Sequence, residues 1–173
     1  MRFELQPVLE GERLTLRPLR EADFEALYAA AADPEIWRQH PASDRWQAPV
    51  FRDYFDGALA SGGAFAVVDR ADGRVIGSTR FHEYRPERGE IEIGYTFLAR
   101  SHWGGAWNAE MKRLMLGHAF RFVESVVFVV GPDNLRSQRA VEKIGGVREG
   151  PVERRGRRDI LFRIRRADWE GHV

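Results

Sequence analysis

The alternation of apolar and polar positions from Arg13 to Arg17 predicts a strand near the start of the chain. Glu21 to Ala32 is alanine-rich and predicts a helix that stops near Asp33-Pro34. Residues 35–49 carry Trp37, His40, Pro41 and Trp46 and read as loop or broken helix. A second helix is predicted from Val50 to Ala60, ending at Ser61-Gly62-Gly63. Ala64 to Asp69 and Arg74 to Tyr84 predict two strands joined at Asp72-Gly73, a hairpin signal. Glu90 to Leu98 predicts the next strand. A helical pattern runs from about Trp107 to Val123, and Val126 to Val130 reads as a strand. A short helix follows, capped by Asp133 or Asn134 and ended by Gly145. Val147 to Arg155 and Arg158 to Arg166 predict a second hairpin around Gly156. The order is strand, two helices, three antiparallel strands, helix, strand, helix, two strands. That is a mixed α/β sheet, mostly antiparallel, with helices on both faces.

Composition narrows this picture. A length of 173 residues predicts one domain, residues 1–173, large enough for a substantial core. No cysteine is present, which removes disulfides, thiolate metal sites and a cysteine nucleophile together. His40, His82, His118 and His172 show no metal-ligand spacing, so no metal is expected. No run of 18 apolar residues occurs and the N-terminus lacks an apolar signal core, so a cytoplasmic protein without a membrane partner is expected. Net charge is +1, which does not predict a general polyanion binder. Lys112 and Lys143 are the two lysines among many arginines. Arg148, Arg154, Arg155, Arg157, Arg158, Arg163, Arg165 and Arg166 cluster near the C-terminus, interrupted by Glu149, Glu153 and Asp159.

Two segments carry the candidate chemistry. Residues 101–108, Ser-His-Trp-Gly-Gly-Ala-Trp-Asn, join a strand to a helix. Gly104 and Gly105 let a ligand approach the backbone, and the following helix offers unpaired N–H groups with a partial positive charge. A phosphate fits such a turn without a lysine. The segment is neither a P-loop nor Gly-x-Gly-x-x-Gly. Residues 131–146, Gly-Pro-Asp-Asn-Leu-Arg-Ser-Gln-Arg-Ala-Val-Glu-Lys-Ile-Gly-Gly, form a second strand–turn–helix unit.

Together these segments resemble the GNAT acetyltransferase superfamily. Its acetyl-CoA motif, Gln/Arg-x-x-Gly-x-Gly/Ala, is matched by Ser101-His102-Trp103-Gly104-Gly105-Ala106, with Ser101 departing at the first position. Its second signature is matched by Asn134, Ser137 and Glu142-Lys143-Ile144-Gly145. Leu14-Thr15-Leu16-Arg17-Pro18-Leu19 with Asp23, then Glu92-Ile93-Gly94-Tyr95, Trp103-Gly104 and Glu110, resemble the ribosomal-protein N-terminal acetyltransferase branch. The resemblance implies a sheet whose fourth and fifth strands splay to admit acetyl-CoA. It implies direct attack of an amine on the thioester in a ternary complex, with no covalent enzyme intermediate. The partners it implies are acetyl-CoA and an amine acceptor, with no specific nucleic acid, and a homodimer is compatible with it.

Acetyl transfer needs a base for the amine, stabilisation of the thioester oxygen and a fate for the thiolate. Glu90 and Glu92 share one face of their strand, and burial would suit a base. The resemblance favours Glu92; an ion pair with Arg80 or Arg88 is the competing role. N–H groups near Phe97 and Leu98 are candidates for the oxygen, because the family bulges this strand. Many family members place a tyrosine where this chain has Val141, so Ser137 is the acid candidate. Asn134 would bind the pantetheine arm or cap its helix. Ser101, His102, Trp103, Gly104, Gly105, Ala106, Trp107 and Asn108 complete the cofactor candidates. Of these, His102 reads as exposed, and Trp103 and Trp107 as packing residues. Trp37, His40, Trp46, Phe81 and Tyr84 are candidate acceptor linings. The acceptor is first a protein N-terminal amine, then a small molecule such as an amino acid, polyamine or antibiotic. A non-catalytic acyl-CoA sensor and RNA binding by the arginine-rich hairpin stay open as other classes.

Overall fold

The computed structural model describes residues 1–170; the sequence reading of His172 lies outside them. Eight strands form one sheet: β1 Leu9–Glu10, β2 Leu14–Pro18, β3 Ala64–Asp69, β4 Val75–Arg85, β5 Glu90–Leu98, β6 Ser125–Val130, β7 Val147–Arg154 and β8 Arg157–Arg165. Their order across the sheet is β1-β2-β3-β4-β5-β6-β8-β7. Every pairing is antiparallel except β5 with β6. The helices are α1 Phe24–Ala31, α2 Pro34–Trp37, α3 Ala48–Ser61, α4 Ala106–Ala119, α5 Leu135–Lys143 and α6 Arg166–Glu170. No helix among the described residues is long and apolar enough to cross a membrane.

The sequence reading missed β1, which is two residues long, and α6. The first predicted helix begins as a 3-10 turn, Glu21–Asp23, before α1. At the predicted stop, Asp33 caps a new helix, α2, by accepting the Glu35 N–H at 3.0 Å, with Pro34 at the first helical position; α2 runs into the region read as loop or broken helix. Gly62 ends α3 with φ +68°.

Two apolar clusters flank the sheet. On one face Met111, Met115 and Ala119 of α4 and Val141 of α5 pack on Phe65, Phe81, Ile91, Ile93, Val126 and Phe162. On the other face α1, α2 and α3 pack Leu27, Trp37, Phe51 and Phe55 on Ala64, Ala66 and Phe97. Glu110 anchors α4 to the sheet. Its buried carboxylate accepts the N–H groups of Arg13 and Leu14 at 2.8 and 2.9 Å.

Two irregularities prepare the site. Strands β5 and β6 pair only from Glu90–Ser125 to Glu92–Val127, then diverge. These are the fourth and fifth strands of the sequence reading, renumbered by the short β1. Beyond Val127, β6 follows β8 up to Val130–Ile160. The edge of β5 from Ile93 onward therefore has no strand partner on that side. The second irregularity is a bulge: β4 advances from Ser78 to Arg80 while β5 runs back from Phe97 to Gly94. Tyr95 sits in it at φ +54°, a conformation that costs a non-glycine residue about 1–3 kcal/mol. Its carbonyl accepts the Tyr54 hydroxyl at 2.7 Å, and Arg80 lies 3.8 Å from its ring centroid.

Candidate active site

A cleft of about 260 Å³ occupies the fork between β5 and β6. One wall is Ile93 to Leu98 of β5 and the other is Phe128 to Gly131 after β6. His102, Trp103, Gly104, Asn108 and Lys112 close one end, and Asn134, Arg136, Ser137 and Val141 of the α5 unit close another. Ile36, Trp37, His40 and Pro41 approach from the α2 side. Thus ten of the sequence candidates line one space: Trp37, His40, Phe97, Leu98, His102, Trp103, Gly104, Asn108, Asn134 and Ser137.

The glycine turn is built as an approach surface. Gly104 has φ +75°, and a Cβ at Gly104 or Gly105 would meet no protein atom within 4 Å. Protein packing therefore does not fill the space beside these residues. Gly105 precedes α4, whose first-turn N–H groups point toward that space. Ala106 opens α4 and is exposed. Asn134 is buried and caps α5, its side-chain oxygen accepting the Ser137 N–H at 3.4 Å. The Leu98 carbonyl is occupied by the Trp103 indole N–H at 2.9 Å.

Several placements differ from the sequence reading. His102 is buried: its Nδ1 is 2.8 Å from the Ser101 hydroxyl and its Nε2 is 3.0 Å from Asp69. Its ring lies 4.6 Å from that of Trp107, so Ser101 and Trp107 hold the loop from behind and do not line the cleft. Phe81 is a core residue, edge-on to Phe3 and Phe65, because it lies on the face covered by α4. Tyr84 packs beside Phe3 on the same cluster. Trp46 packs against the α1–α3 cluster, outside the cleft lining.

Glu92 lies at the foot of the fork, on the sheet face opposite α4, and is 2% exposed. Its ion-pair partner is Arg154 of β7, neither Arg80 nor Arg88; Nη1 sits 2.8 and 2.7 Å from the two carboxylate oxygens. Burial pushes the Glu92 carboxyl up to about 7, against the pull of Arg154. Glu90 pairs with Arg163 at 2.6 Å. Glu92 is not itself a cleft-lining side chain, but Ile93 and Gly94 beside it are. His82 faces it across the strand pair, with Nε2 3.7 Å from Oε2. Burial, helped by Arg80, lowers His82 to about 4. His40 is lowered by burial to about 3, and its Nδ1 accepts the Ala42 N–H at 2.9 Å.

Sequence reasoning missed Lys112. It is 5% exposed, lines the cleft and donates to the Thr96 hydroxyl at 2.9 Å; burial lowers it to about 7. The signal was present: Lys112 stands at helical spacing with Met115, Leu116 and Ala119, a cation inside an apolar stripe. Arg136 was missed too. Its guanidinium lies 3.7 Å from the Trp103 ring centroid and donates to the Ile36 carbonyl at 2.9 Å, tying α5 to the glycine loop and α2.

Four of the eight C-terminal arginines are committed to ion pairs among the described residues. Arg154, Arg157, Arg163 and Arg166 contact Glu92, Asp159, Glu90 with Glu149, and Glu124, respectively.

Comparison with known proteins agrees with this geometry. A family model described as the Acetyltransferase (GNAT) domain matches residues 13–147. The chain is 28% identical over 149 residues to the uncharacterized N-acetyltransferase p20 of Bacillus licheniformis, covering 82% of this chain and 83% of that protein. Its fold is similar to a GCN5-related N-acetyltransferase from Brucella melitensis, with TM-score 0.82, 23% identity, and 95% and 81% of the two chains covered. It is also similar in fold to Mycobacterium smegmatis RimJ in complex with CoA-disulfide, with TM-score 0.71, 19% identity, and 94% and 88% covered.

Proposed function

The chain belongs to the GNAT acetyltransferase family, and from that premise we propose that it transfers an acetyl group from acetyl-CoA to a primary amine. The observation that carries this reading is the fork: a bulged strand with one edge unpaired, opening beside a glycine turn whose free space no side chain fills. The residues fit the donor. Gly104, Gly105 and the first turn of α4 would hold its phosphates. The unpaired edge of β5 would hydrogen-bond its amide arm, and Asn134 and Ser137 would face that arm from α5. Arg136 adds a cation at the same wall.

The chemistry follows from the thioester. The amine nitrogen forms a bond to the carbonyl carbon, the carbon–sulfur bond breaks, and the thiolate takes a proton. Glu92, buried and raised toward neutrality, would receive the amine proton through water or directly. N–H groups of β5 near Phe97 and Leu98 would stabilise the carbonyl oxygen. Ser137 would donate to the departing sulfur. A protein N-terminal amine suits this site because its pKa is only about 7.7–8.0, which asks little of a base. A thiol-release assay with acetyl-CoA tests the reading. Liberated CoA with an amine present is the expected result, and acetyl-CoA binding without thiol release from any amine overturns it in favour of a sensor.

A further inference from the structure

Two buried side-chain polar atoms lack a hydrogen-bond partner among the described residues: Nε of Arg80 and Nε2 of His82. Their residues stand two apart on β4, with Cα atoms about 7 Å apart, and so share one face of the strand. That face is the one opposite α4, where Glu92 sits and α1–α3 pack. Gly94 pairs with Arg80 in the ladder, and a Cβ there would meet His82 Nε2 at 2.9 Å. Glycine at this position keeps the His82 ring edge open.

Arg80 is 7% exposed and makes no ion pair among the described residues, and neither does Arg45. Aromatic rings hold both. The Arg80 Cζ is 3.8 Å from the Tyr95 centroid and 5.9 Å from that of Tyr54. The Arg45 Cζ is 4.7 Å from Tyr54 and 5.2 Å from Trp37. A ring face supports a guanidinium but accepts none of its in-plane hydrogen bonds. Burial pushes both arginines down in pKa, and their mutual repulsion pushes Arg45 further. Arg80 is buried with no carboxylate in hydrogen-bond reach among the described residues, and Arg45, half-buried and acted on by the carboxylate of Asp44, adds positive charge beside it. A buried guanidinium so placed is unfavourable unless an anion joins it. Tyr95 and Trp37 also line the cleft, so the cage borders the acetyl-transfer site.

We propose that the acceptor amine carries a carboxylate, which Arg80 binds with Arg45 beside it, while the amine lies against His82 and Glu92. This rests on the acyl-transfer reading above and names its substrate class. A planar guanidinium takes a carboxylate in two parallel hydrogen bonds. Arg80 and His82 are neighbours on one face of β4, so the ligand that reaches both is compact, with amine and carboxylate a few bonds apart and hydrogen-bonded at both ends. A free amino acid has that form, as does a peptide whose first residue is aspartate or glutamate. Polyamines and aminoglycosides do not, and the arginines repel them.

The test uses matched pairs: L-amino acids against their carboxamides, and peptides beginning with Asp against the same peptides beginning with Asn. Thiol release is measured with acetyl-CoA, and binding of each pair is titrated calorimetrically with CoA present. The expected result is a preference of about 10²-fold for the carboxylate member in at least one series, which also says whether amino acid or peptide is the source. Arg80→Met should reduce that preference to a few-fold while acetyl-CoA affinity is retained. Should Arg80→Met lose acetyl-CoA binding through misfolding, Arg45→Met, at a partly exposed position, carries the same test. Equal use or binding of acid and amide by the wild type, no binding of any acid, or a preference that survives both substitutions overturns the proposal. Carboxylate-dependent binding without thiol release keeps the anion site and overturns the acyl-transfer reading. Thiol release with carboxylate-free amines alone does the reverse.

Discussion

One nitrogen of Arg154, Nη1, holds both oxygens of Glu92, at 2.8 and 2.7 Å, and so couples the edge strand β7 to the foot of the β5–β6 fork. The pair fixes the carboxylate against rotation while burial raises it to about 7.

That coupling makes the pH profile of the reaction informative. With Glu92 as base, kcat/KM rises with pH, levels off above about 7, and Glu92→Gln lowers kcat by ~10²-fold or more. Arg154 is the group that pulls Glu92 down, so Arg154→Gln moves the rising limb to higher pH. Rate profiles of the three proteins between pH 5.5 and 9.5 check this. A limb that stays in place in Arg154→Gln assigns the titration to another group.

The glycine turn gives a test that separates ligand approach from folding. Gly105 has an extended φ of 174°, and a Cβ there meets no protein atom within 4 Å. Gly105→Val should therefore keep the wild-type melting temperature yet lose most acetyl-CoA affinity by calorimetry. Gly104→Val should lose affinity and stability together, because φ +75° strains a side chain. Normal affinity in Gly105→Val removes this turn from the donor site.

Lys112 predicts an unusual stability profile. Its folded pKa, about 7, lies below that of the unfolded chain. Between about 7 and 10.4 the unfolded chain binds the extra proton, so this group's contribution improves as pH rises and is most unfavourable below 7. Lys112→Met should raise the melting temperature by a few degrees at pH 6.5, on the order of 1 kcal/mol. The gain should shrink by pH 10. A gain independent of pH would show that the ammonium is solvated.

Ser137 is the hydroxyl that faces the cleft from α5, where Val141 lines the wall without a polar atom. A thiol pKa near 8.5 means the thiolate leaves with modest help, so Ser137→Ala should lower kcat about tenfold with acetyl-CoA affinity kept. Full activity at pH 7 assigns proton delivery to Lys112 or water, and the rate of Lys112→Met then separates those two.

The sequence by itself determined the order of the longer elements, the hairpins and the two strand–turn–helix units, because these rest on local rules, though it missed β1 and α6. Strand alternation, Asp-Gly and Gly turns, and the Asn134 and Gly145 caps act over a few residues. For the same reason the Gly104 turn and the Asn134 cap are legible locally, the family resemblance adds Ser137, and the tertiary structure brings the three to one cleft. What only the tertiary structure decided are relationships between distant strands. The partner of Glu92 comes from β7, 62 residues away, since sheet order and twist set which arginine arrives. His102 is buried because Asp69, 33 residues earlier, lies within reach of its ring. Phe81 fell under α4 and Arg80 against the Tyr95 ring on the opposite face because the side chains of adjacent strand residues point to opposite faces. Which side chains pack under α4 and which under α1–α3 depends on where those helices dock, and no local pattern carries that information.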